Sequence, residues 1–292
     1  MSTKISRKKK VLFLALISIS TIISIFLIYE KATSKTLVEN SSDTNIKVTT
    51  AKTLSEKPEA DEKVNSTTLK KYDKVTAIPG SLFFEDTPTL GSQQTYIAVP
   101  IEYDIQTPPT VILYSHGSNT HVTTDFNESF MKDLREYAEF FTKENYIFAA
   151  SEQHGQNWGS QEAIDDTENL RQYISKNYTS KEKINLIGFS MGGLPTMNYA
   201  LDHHDKVNRI ALLAPTTYPT YWTTDRASKF KSISISLWHG NSDANVPISS
   251  SIEFIDIMKQ GGISVVFHEL NGKTHWDLDT EMKPEILKFF NK

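Results

Sequence analysis

A serine between two glycines is the first candidate for chemistry in this sequence. Residues 188–192 read GFSMG, directly after an apolar stretch and directly before a helical one. This context predicts a sharp strand-to-helix turn that presents the Ser190 hydroxyl on strained backbone, between neighbours too small to collide with it. The free N–H groups of a helix beginning at Met191 would point to the same spot and suit a developing oxyanion. Ser190 is therefore a candidate nucleophile. For the motif alone, the alternative is a serine that caps a helix.

A serine hydroxyl is a poor nucleophile unless a base accepts its proton and a third group orients that base. Asp243 lies in the segment HGNSDANVP at residues 239–247, and His275 lies in NGKTHW at residues 271–276. Each segment follows an apolar stretch, which predicts that both side chains reach the same sheet edge as Ser190. We predict a Ser190 nucleophile, a His275 base and an Asp243 that orients it. Taken singly, Asp243 is also a common turn or cap residue, and His275 a surface histidine.

The oxyanion needs a second hydrogen-bond donor. Residues 110–116, TVILYSH, form the first long apolar stretch and run into a His-Gly turn. The backbone N–H of Gly117 or Ser118 is therefore expected to join that of Met191 in binding the oxyanion. His116 is expected to shape this loop rather than to act as the base, because it precedes the nucleophile in the chain.

These motifs resemble those of the α/β-hydrolase superfamily over about residues 75–292. The matching segments are HG at 116–117, GFSMGG at 188–193, HGNSDANVP at 239–247 and His275. The second and third resemble the small, cap-less esterases and the dienelactone-hydrolase or prolyl-oligopeptidase-like branch. The resemblance implies the α/β-hydrolase fold and a serine hydrolase with the serine, aspartate and histidine above as its triad. It implies no particular substrate, because this fold hosts many chemistries.

The elements that must position these residues alternate between strand and helix. Apolar strands separated by amphipathic helices predict an α/β fold with a mainly parallel sheet covered by helices on both faces. The predicted strands are 81–84, 94–100, 110–116, 146–151, 184–189, 209–214, 233–239 and 263–270. Helices are predicted around 130–141 and 161–177, from 191, around 252–258 and from about 281. The segment at 215–232 is too short for a separate lid domain, so we expect an open site.

The N-terminal part has a different character. Residues 11–29 are 19 consecutive residues without a charge, and five basic residues precede them. As a helix this stretch reaches about the thickness of a hydrocarbon core, and the basic flank favours a cytoplasmic N-terminus. We predict a cytoplasmic segment at 1–10, a transmembrane signal anchor at 11–29 and a single-pass protein of the cell membrane whose catalytic domain lies outside. The alternative is a signal peptide cut near residues 32–34, which gives a secreted protein.

The segment after the predicted anchor is polar. Residues 31–70 contain no aromatic residue and no glycine, so they cannot bury enough apolar surface to offset the entropy of ordering. We predict a disordered linker at 30–71 and a catalytic domain at 72–292. A role in contacting the cell wall or a partner is the alternative for the linker.

Composition excludes several function classes. The net charge is −4, and the five cations of the first ten residues leave the remainder at −9, which argues against nucleic-acid binding. The chain contains no cysteine, so disulfides, thiolate nucleophiles and cysteine-ligated zinc are excluded. No glycine-rich nucleotide-binding pattern occurs, and we predict neither a cofactor nor a metal.

Aromatic residues on the loops after the strands are candidates for binding substrate. We predict this role for Trp158, Tyr221, Trp222 and Trp276, and Tyr218 lies in the same region. Such side chains could bind an acyl chain, an aryl group or a sugar ring, and ordinary packing is the alternative. The predicted function is a serine hydrolase that cleaves a small-molecule or polymer-linked carboxylic ester through an acyl-enzyme. The alternatives are a serine peptidase or amidase on the same triad, and a non-catalytic surface-binding module.

Overall fold

A computed structural model of the chain describes residues 82–103 and 106–292. The predicted cytoplasmic segment, membrane anchor and linker lie outside the described residues, as does the start of the predicted catalytic domain at 72–81. Within the described residues, no helix combines the length and the apolar character needed to cross a bilayer.

The described part of the chain forms a sheet whose larger portion is parallel. Its strands are β1 (Phe83–Asp86), β2 (Thr89–Leu90), β3 (Gln93–Pro100), β4 (Thr110–Ser115), β5 (Tyr146–Ser151), β6 (Ile184–Phe189), β7 (Val207–Leu213), β8 (Ser234–Gly240) and β9 (Val265–Leu270). They lie in the order β1-β3-β5-β4-β6-β7-β8-β9, and β2 pairs with β3. The six neighbouring strands β5, β4, β6, β7, β8 and β9 run parallel to one another. The pairs β1–β3, β2–β3 and β3–β5 are antiparallel. The predicted mainly parallel sheet is confirmed.

Helices cover both faces of the sheet. They are α1 (Ser129–Thr142), α2 (Gln161–Asn177), α3 (Gly193–Asp202), α4 (Thr224–Ser228), α5 (Ile248–Gln260) and α6 (Lys283–Phe290). Helices α1 and α6 pack on one face, and α2, α3 and α5 pack on the other. Because successive strand residues point to opposite faces, β3 supplies Ile97 and Val99 to one core and Tyr96 and Ala98 to the other. This two-sided burial explains the uninterrupted apolar runs in the sequence.

The strand direction brings several loops to one edge. Parallel strands end on the same side of the sheet, so the loops after β4, β5, β6, β7, β8 and β9 meet there. The loop after β6 carries Ser190, the loop after β8 carries Asp243, and the loop after β9 carries His275. The segment between β7 and β8 holds a short 3₁₀ helix (Pro219–Tyr221) and α4 rather than a separate lid domain.

Candidate active site

The nucleophile turn has the geometry that its sequence predicts. Ser190 has a φ of 54°, in the left-handed region that side chains with a Cβ rarely adopt. A Cβ on Gly188 would lie 2.7 Å from the carbonyl oxygen of Gly192. A Cβ on Gly192 would collide with the carbonyl of Ser115 at the end of β4. Both glycines are therefore needed for the turn to form against the neighbouring strand. A 3₁₀ turn at Ser190–Gly192 precedes α3, so the α-helix begins two residues later than predicted.

Three side chains from distant parts of the sequence form one hydrogen-bonded chain. Ser190 Oγ lies 2.9 Å from His275 Nε2, and His275 Nδ1 lies 2.7 Å from Asp243 Oδ2. The Asp243 side chain is fully buried, and His275 as a residue is 2% exposed. In this arrangement the serine hydroxyl donates to Nε2 and the Nδ1–H donates to the carboxylate.

The Asp243 carboxylate is held by its own loop and by a second histidine. Oδ1 accepts hydrogen bonds from the backbone N–H of Asn245, at 2.8 Å, and of Val246, at 2.9 Å. Oδ2, which faces His275, also lies 3.3 Å from Nε2 of the buried His239. Every contact fixes the direction in which Oδ2 faces the imidazole. Nothing in the sequence predicted a role for His239, although it lies four residues before Asp243 in the same motif.

The loop after β4 lies beside the nucleophile. A Cβ on Gly117 would lie 3.6 Å from the Ser190 Cβ, and Gly117 and Ser118 both line the cavity at Ser190. Met191 follows the nucleophile and is buried.

His116 is also buried, with Nδ1 at 2.7 Å from the Gly117 carbonyl and Nε2 at 2.9 Å from the Glu152 carbonyl. His116 thus contacts the backbone of the loop it belongs to, as expected, and takes no part in the hydrogen-bonded chain at Ser190.

A cavity of about 420 Å³ opens over Ser190. Trp158 and Trp276, two of the aromatic residues predicted to bind substrate, line it together with Tyr218. The described lining residues include no Asp, Glu, Lys or Arg. Within the described residues, no group of three or more His, Asp or Glu side chains is arranged to hold a metal ion.

Two predicted substrate-binding residues do not line this cavity. Trp222 is buried in the core, where its indole N–H donates to the Thr217 carbonyl at 3.0 Å and its ring packs edge-on against Phe230 and Phe254. Tyr221 is exposed, with the Arg226 guanidinium 3.9 Å from its ring centroid. The structure therefore does not bring these two side chains to the described lining of the cavity at Ser190.

Comparison with known proteins supports the resemblance seen in the motifs. A family described as "alpha/beta hydrolase fold" matches residues 148–232, a segment that contains β6 and Ser190. The described part of the chain has the α/β-hydrolase fold. The predicted resemblance is therefore confirmed, and the motif at Ser190 lies inside the matched segment.

The proteins to which this chain is similar include esterases and peptidases by name. The chain is 28% identical over 147 residues to dipeptidyl-peptidase 5 of Porphyromonas gingivalis, covering 46% of this chain and only 21% of the relative. A thermostable esterase of known structure is 15% identical, with a TM-score of 0.58 over 72% of this chain and 63% of its own. The acylaminoacyl peptidase of Pyrococcus horikoshii is 13% identical, with a TM-score of 0.57 over 73% and 42%. At these identities the structures share a fold.

The loop that carries His275 is supported by a buried carboxyl group. Asp279 directly follows the 3₁₀ helix Trp276–Leu278, and burial raises its pKa to about 6. The Tyr114 hydroxyl donates to Asp279 Oδ1 at 2.6 Å, and the Tyr137 hydroxyl donates to the Asp279 backbone carbonyl. These contacts tie the loop of His275 to β4 and α1. Sequence reasoning missed them, since the partners are 165 and 142 residues apart.

Proposed function

We propose that the chain is a serine hydrolase that cleaves carboxylic esters through an acyl-enzyme intermediate. The observation that carries the proposal is the pair of distances at His275, 2.9 Å to Ser190 Oγ and 2.7 Å to Asp243 Oδ2. A serine, an imidazole and a carboxylate in this order form the arrangement that activates a serine hydroxyl in unrelated hydrolase folds.

The first half-reaction acylates the serine. Ser190 Oγ attacks the ester carbonyl carbon while His275 Nε2 takes the hydroxyl proton, and the carbonyl oxygen becomes an oxyanion. The N–H groups of Met191 and of Gly117 or Ser118 bind that oxyanion. The tetrahedral intermediate then collapses, the ester C–O bond breaks, and the alcohol leaves with the proton from His275.

The second half-reaction releases the acid. A water molecule gives a proton to His275 Nε2 and attacks the acyl carbon, and Ser190 leaves with that proton restored. Asp243 accepts the Nδ1–H throughout, which keeps the imidazole in the reactive tautomer and stabilises the imidazolium formed in each half-reaction. No step needs a group other than the chain's own residues and water.

The cavity lining favours an ester over a peptide terminus. An aminopeptidase recognises the positive charge of a free peptide amine with a carboxylate, and a buried charge requires such a partner. The described residues that line the cavity supply no carboxylate. A neutral lining suits a substrate without charge near the scissile bond.

A serine peptidase or amidase is the second candidate. The 28% identity to dipeptidyl-peptidase 5 favours it, although the match covers only 21% of that protein. Parallel kinetic assays of short-chain esters and of aminoacyl amides with the same leaving group separate the two functions. An amide hydrolysed with a kcat/KM equal to that of the ester would favour the peptidase.

Replacing the nucleophile tests the proposal. We expect Ser190→Ala to lower kcat on p-nitrophenyl acetate by about four orders of magnitude or more, with an unchanged unfolding temperature. A fluorophosphonate probe should label the unmodified chain and not the variant. Labelling or hydrolysis that persists in Ser190→Ala would refute the assignment, and a chain that never reacts would favour a non-catalytic binding module.

We also propose that the activity is held at the outer face of the cell membrane by residues 11–29. Support comes from the uncharged length of this stretch and its basic flank. Release as a secreted protein after cleavage near residues 32–34 is the alternative.

A further inference from the structure

The mouth of the cavity presents three large aromatic side chains to solvent. Trp158, Tyr218 and Trp276 line it, and they are 48%, 50% and 55% exposed. Only seven large apolar residues of the described chain are exposed to a comparable degree, so this cluster holds three of the seven. Together these three side chains form an aromatic rim. Exposed aromatic surface that is concentrated around a cavity indicates a binding surface.

Two residues of the aromatic rim are held in strained backbone conformations. Trp158 has a φ of 46° and Tyr218 a φ of 41°, in a region that bulky side chains avoid. Such conformations are strained and persist where the surrounding structure imposes them, often at binding sites. Their presence at two rim positions indicates that the direction of these rings matters to the molecule.

The loop of Trp158 is fixed against the helix that follows the nucleophile. The Asn198 side chain on α3 donates a hydrogen bond to the Gly159 carbonyl at 2.8 Å, and Asn157 Oδ1 accepts the Gly159 N–H at 2.9 Å. A Cβ on Gly159 would lie 2.9 Å from the Leu194 Cβ, so the loop packs closely on α3. The indole of Trp158 is therefore carried by a firmly supported loop, which lowers the entropy lost when a ligand stacks on it.

Four polar side chains in the same cavity have no hydrogen-bond partner within the described chain. Ser118, Asn119, Thr216 and Asn245 all line it, and none of their side chains bonds to another described residue. All four are neutral hydroxyl or amide groups that can both donate and accept. An alkyl or aryl group would use none of them, whereas a ligand rich in hydroxyl groups would use several.

We infer that the alcohol part of the ester is a neutral carbohydrate, so that the enzyme removes acyl groups from sugars. This inference rests on the proposed function. A sugar ring offers apolar C–H faces that stack on aromatic rings and hydroxyl groups that pair with neutral amides and hydroxyls. It carries no charge, in agreement with the lining. The volume of about 420 Å³ lies in the range of sites for small molecules.

Three acetates with different alcohols test the inference. Mono-O-acetyl methyl glucoside, 2-naphthyl acetate and hexyl acetate share the acyl group, and acetate release gives kcat and KM for each. The variants are Trp158→Ala, Trp158→Phe and Asn119→Ala. Ile252→Ala is the matched control because Ile252 is exposed on α5 and does not line the cavity.

We expect Trp158→Ala and Asn119→Ala each to lower kcat/KM for the acetyl sugar about tenfold relative to hexyl acetate. Trp158→Phe keeps a ring and should retain most of the preference, while Ile252→Ala should leave all three esters unchanged. A loss confined to 2-naphthyl acetate would assign the aromatic rim to aryl esters. Equal losses on all three esters, or an unchanged ratio in Asn119→Ala, would also overturn the inference.

A binding measurement separates this inference from the proposed function. Cellotetraose should quench the tryptophan fluorescence of the Ser190→Ala protein, and Trp158→Ala in that background should weaken binding. Serine-dependent hydrolysis of the simple acetates with no sugar preference and no cellotetraose binding would leave the proposed function standing and defeat the inference. Sugar binding without any serine-dependent hydrolysis would defeat the proposed function, and the removal of acyl groups with it, and would leave only a sugar-binding site.

Discussion

His239 is a buried imidazole that contacts the carboxylate facing His275. Its Nε2 lies 3.0 Å from the Val246 carbonyl and 3.3 Å from Asp243 Oδ2, and its Nδ1 lies 2.8 Å from Ser251 Oγ. Burial lowers the pKa of His239, so its ring is neutral at neutral pH. In this state its Nε2–H donates towards the Asp243 loop and its Nδ1 accepts from Ser251. His239 is therefore a positioning residue for Asp243.

We expect His239→Ala to lower kcat on p-nitrophenyl acetate about tenfold to a hundredfold with little change in KM. The reason is that Asp243 Oδ2 loses a neighbour that fixes its direction, and small misplacements of catalytic groups are costly. His268→Ala is the control, since His268 stacks on Trp238 and hydrogen-bonds Ser236 on the neighbouring strand. A His239→Ala enzyme with unchanged kcat, or one no slower than the control, would contradict this role.

At the same scale, the sequence predicted some side chains well and others poorly. Ser190, Asp243 and His275 were predicted to converge because each follows a strand of a parallel sheet, and their contacts agree with that geometry. Trp222 was assigned to the substrate site and lies in the core. Motif position fixes which edge of the sheet a loop reaches, while the direction of one aromatic ring depends on the turn that carries it. That direction is not encoded in any local pattern.

At the scale of elements, the loop of His275 is secured by packing between distant segments. Strand β4 supplies the Tyr114 hydroxyl and helix α1 supplies the Tyr137 hydroxyl, and both bond to Asp279. Burial, with the nearby Asp279 carboxyl, raises the pKa of Tyr114 well above its usual value, so the phenol keeps the proton it donates. The groups that act on Asp279 also include Asp133, which raises its pKa, and Lys283, which lowers it.

The raised pKa of Asp279 predicts a pH dependence of stability. Because its pKa rises from 3.8 to about 6 on folding, the native state binds the proton more tightly than the unfolded chain. The contribution of Asp279 to the free energy of unfolding is most favourable below about pH 4 and falls as the pH rises to about 6. Above that pH it stays lower than at pH 4 by up to about 3 kcal/mol. We expect Asp279→Asn to raise the unfolding temperature at pH 7.5 more than at pH 4, as measured by calorimetry.

The control for this effect is Asp277→Asn, on the same loop. Asp277 is partly exposed and accepts hydrogen bonds from the N–H and the hydroxyl of Thr274, and these hydrogen bonds lower its pKa. Asp277→Asn should therefore lower the unfolding temperature at pH 7.5 more than at pH 4, which is the opposite pH dependence. If Asp279→Asn lost stability equally at both pH values, the buried carboxyl would not be the titrating group.

The order of elements was readable from the sequence, and their finer details were not. Eight predicted strands appear in the structure with ends shifted by up to two residues, because uninterrupted apolar runs mark strands buried on both faces. The two-residue β2 and the five-residue α4 were missed. Such short elements bury few side chains, so no period of two or of 3.6 residues can develop in them.

At the scale of the whole molecule, the proposed anchor makes a simple prediction. When the full chain is expressed, we expect it to sediment with membranes, and a variant lacking residues 2–30 to stay in the soluble fraction. External protease should remove the catalytic activity from intact cells if the domain lies outside. A protein recovered from the medium with its N-terminus near residue 33 would favour the secreted alternative, and a full-length protein in the soluble fraction would contradict both.

The uncharged cavity also predicts how kcat/KM depends on the salt concentration. Electrostatic steering accelerates encounter only when charges on the two partners attract, and dissolved ions weaken that attraction. With no charged side chain among the described residues at the cavity, sodium chloride has nothing there to screen. We expect kcat/KM for a neutral ester to vary less than about twofold between 0.05 and 0.5 M sodium chloride. A steep decline would reveal a charged contact beyond the lining. The catalyst should therefore work equally well in dilute and in saline surroundings.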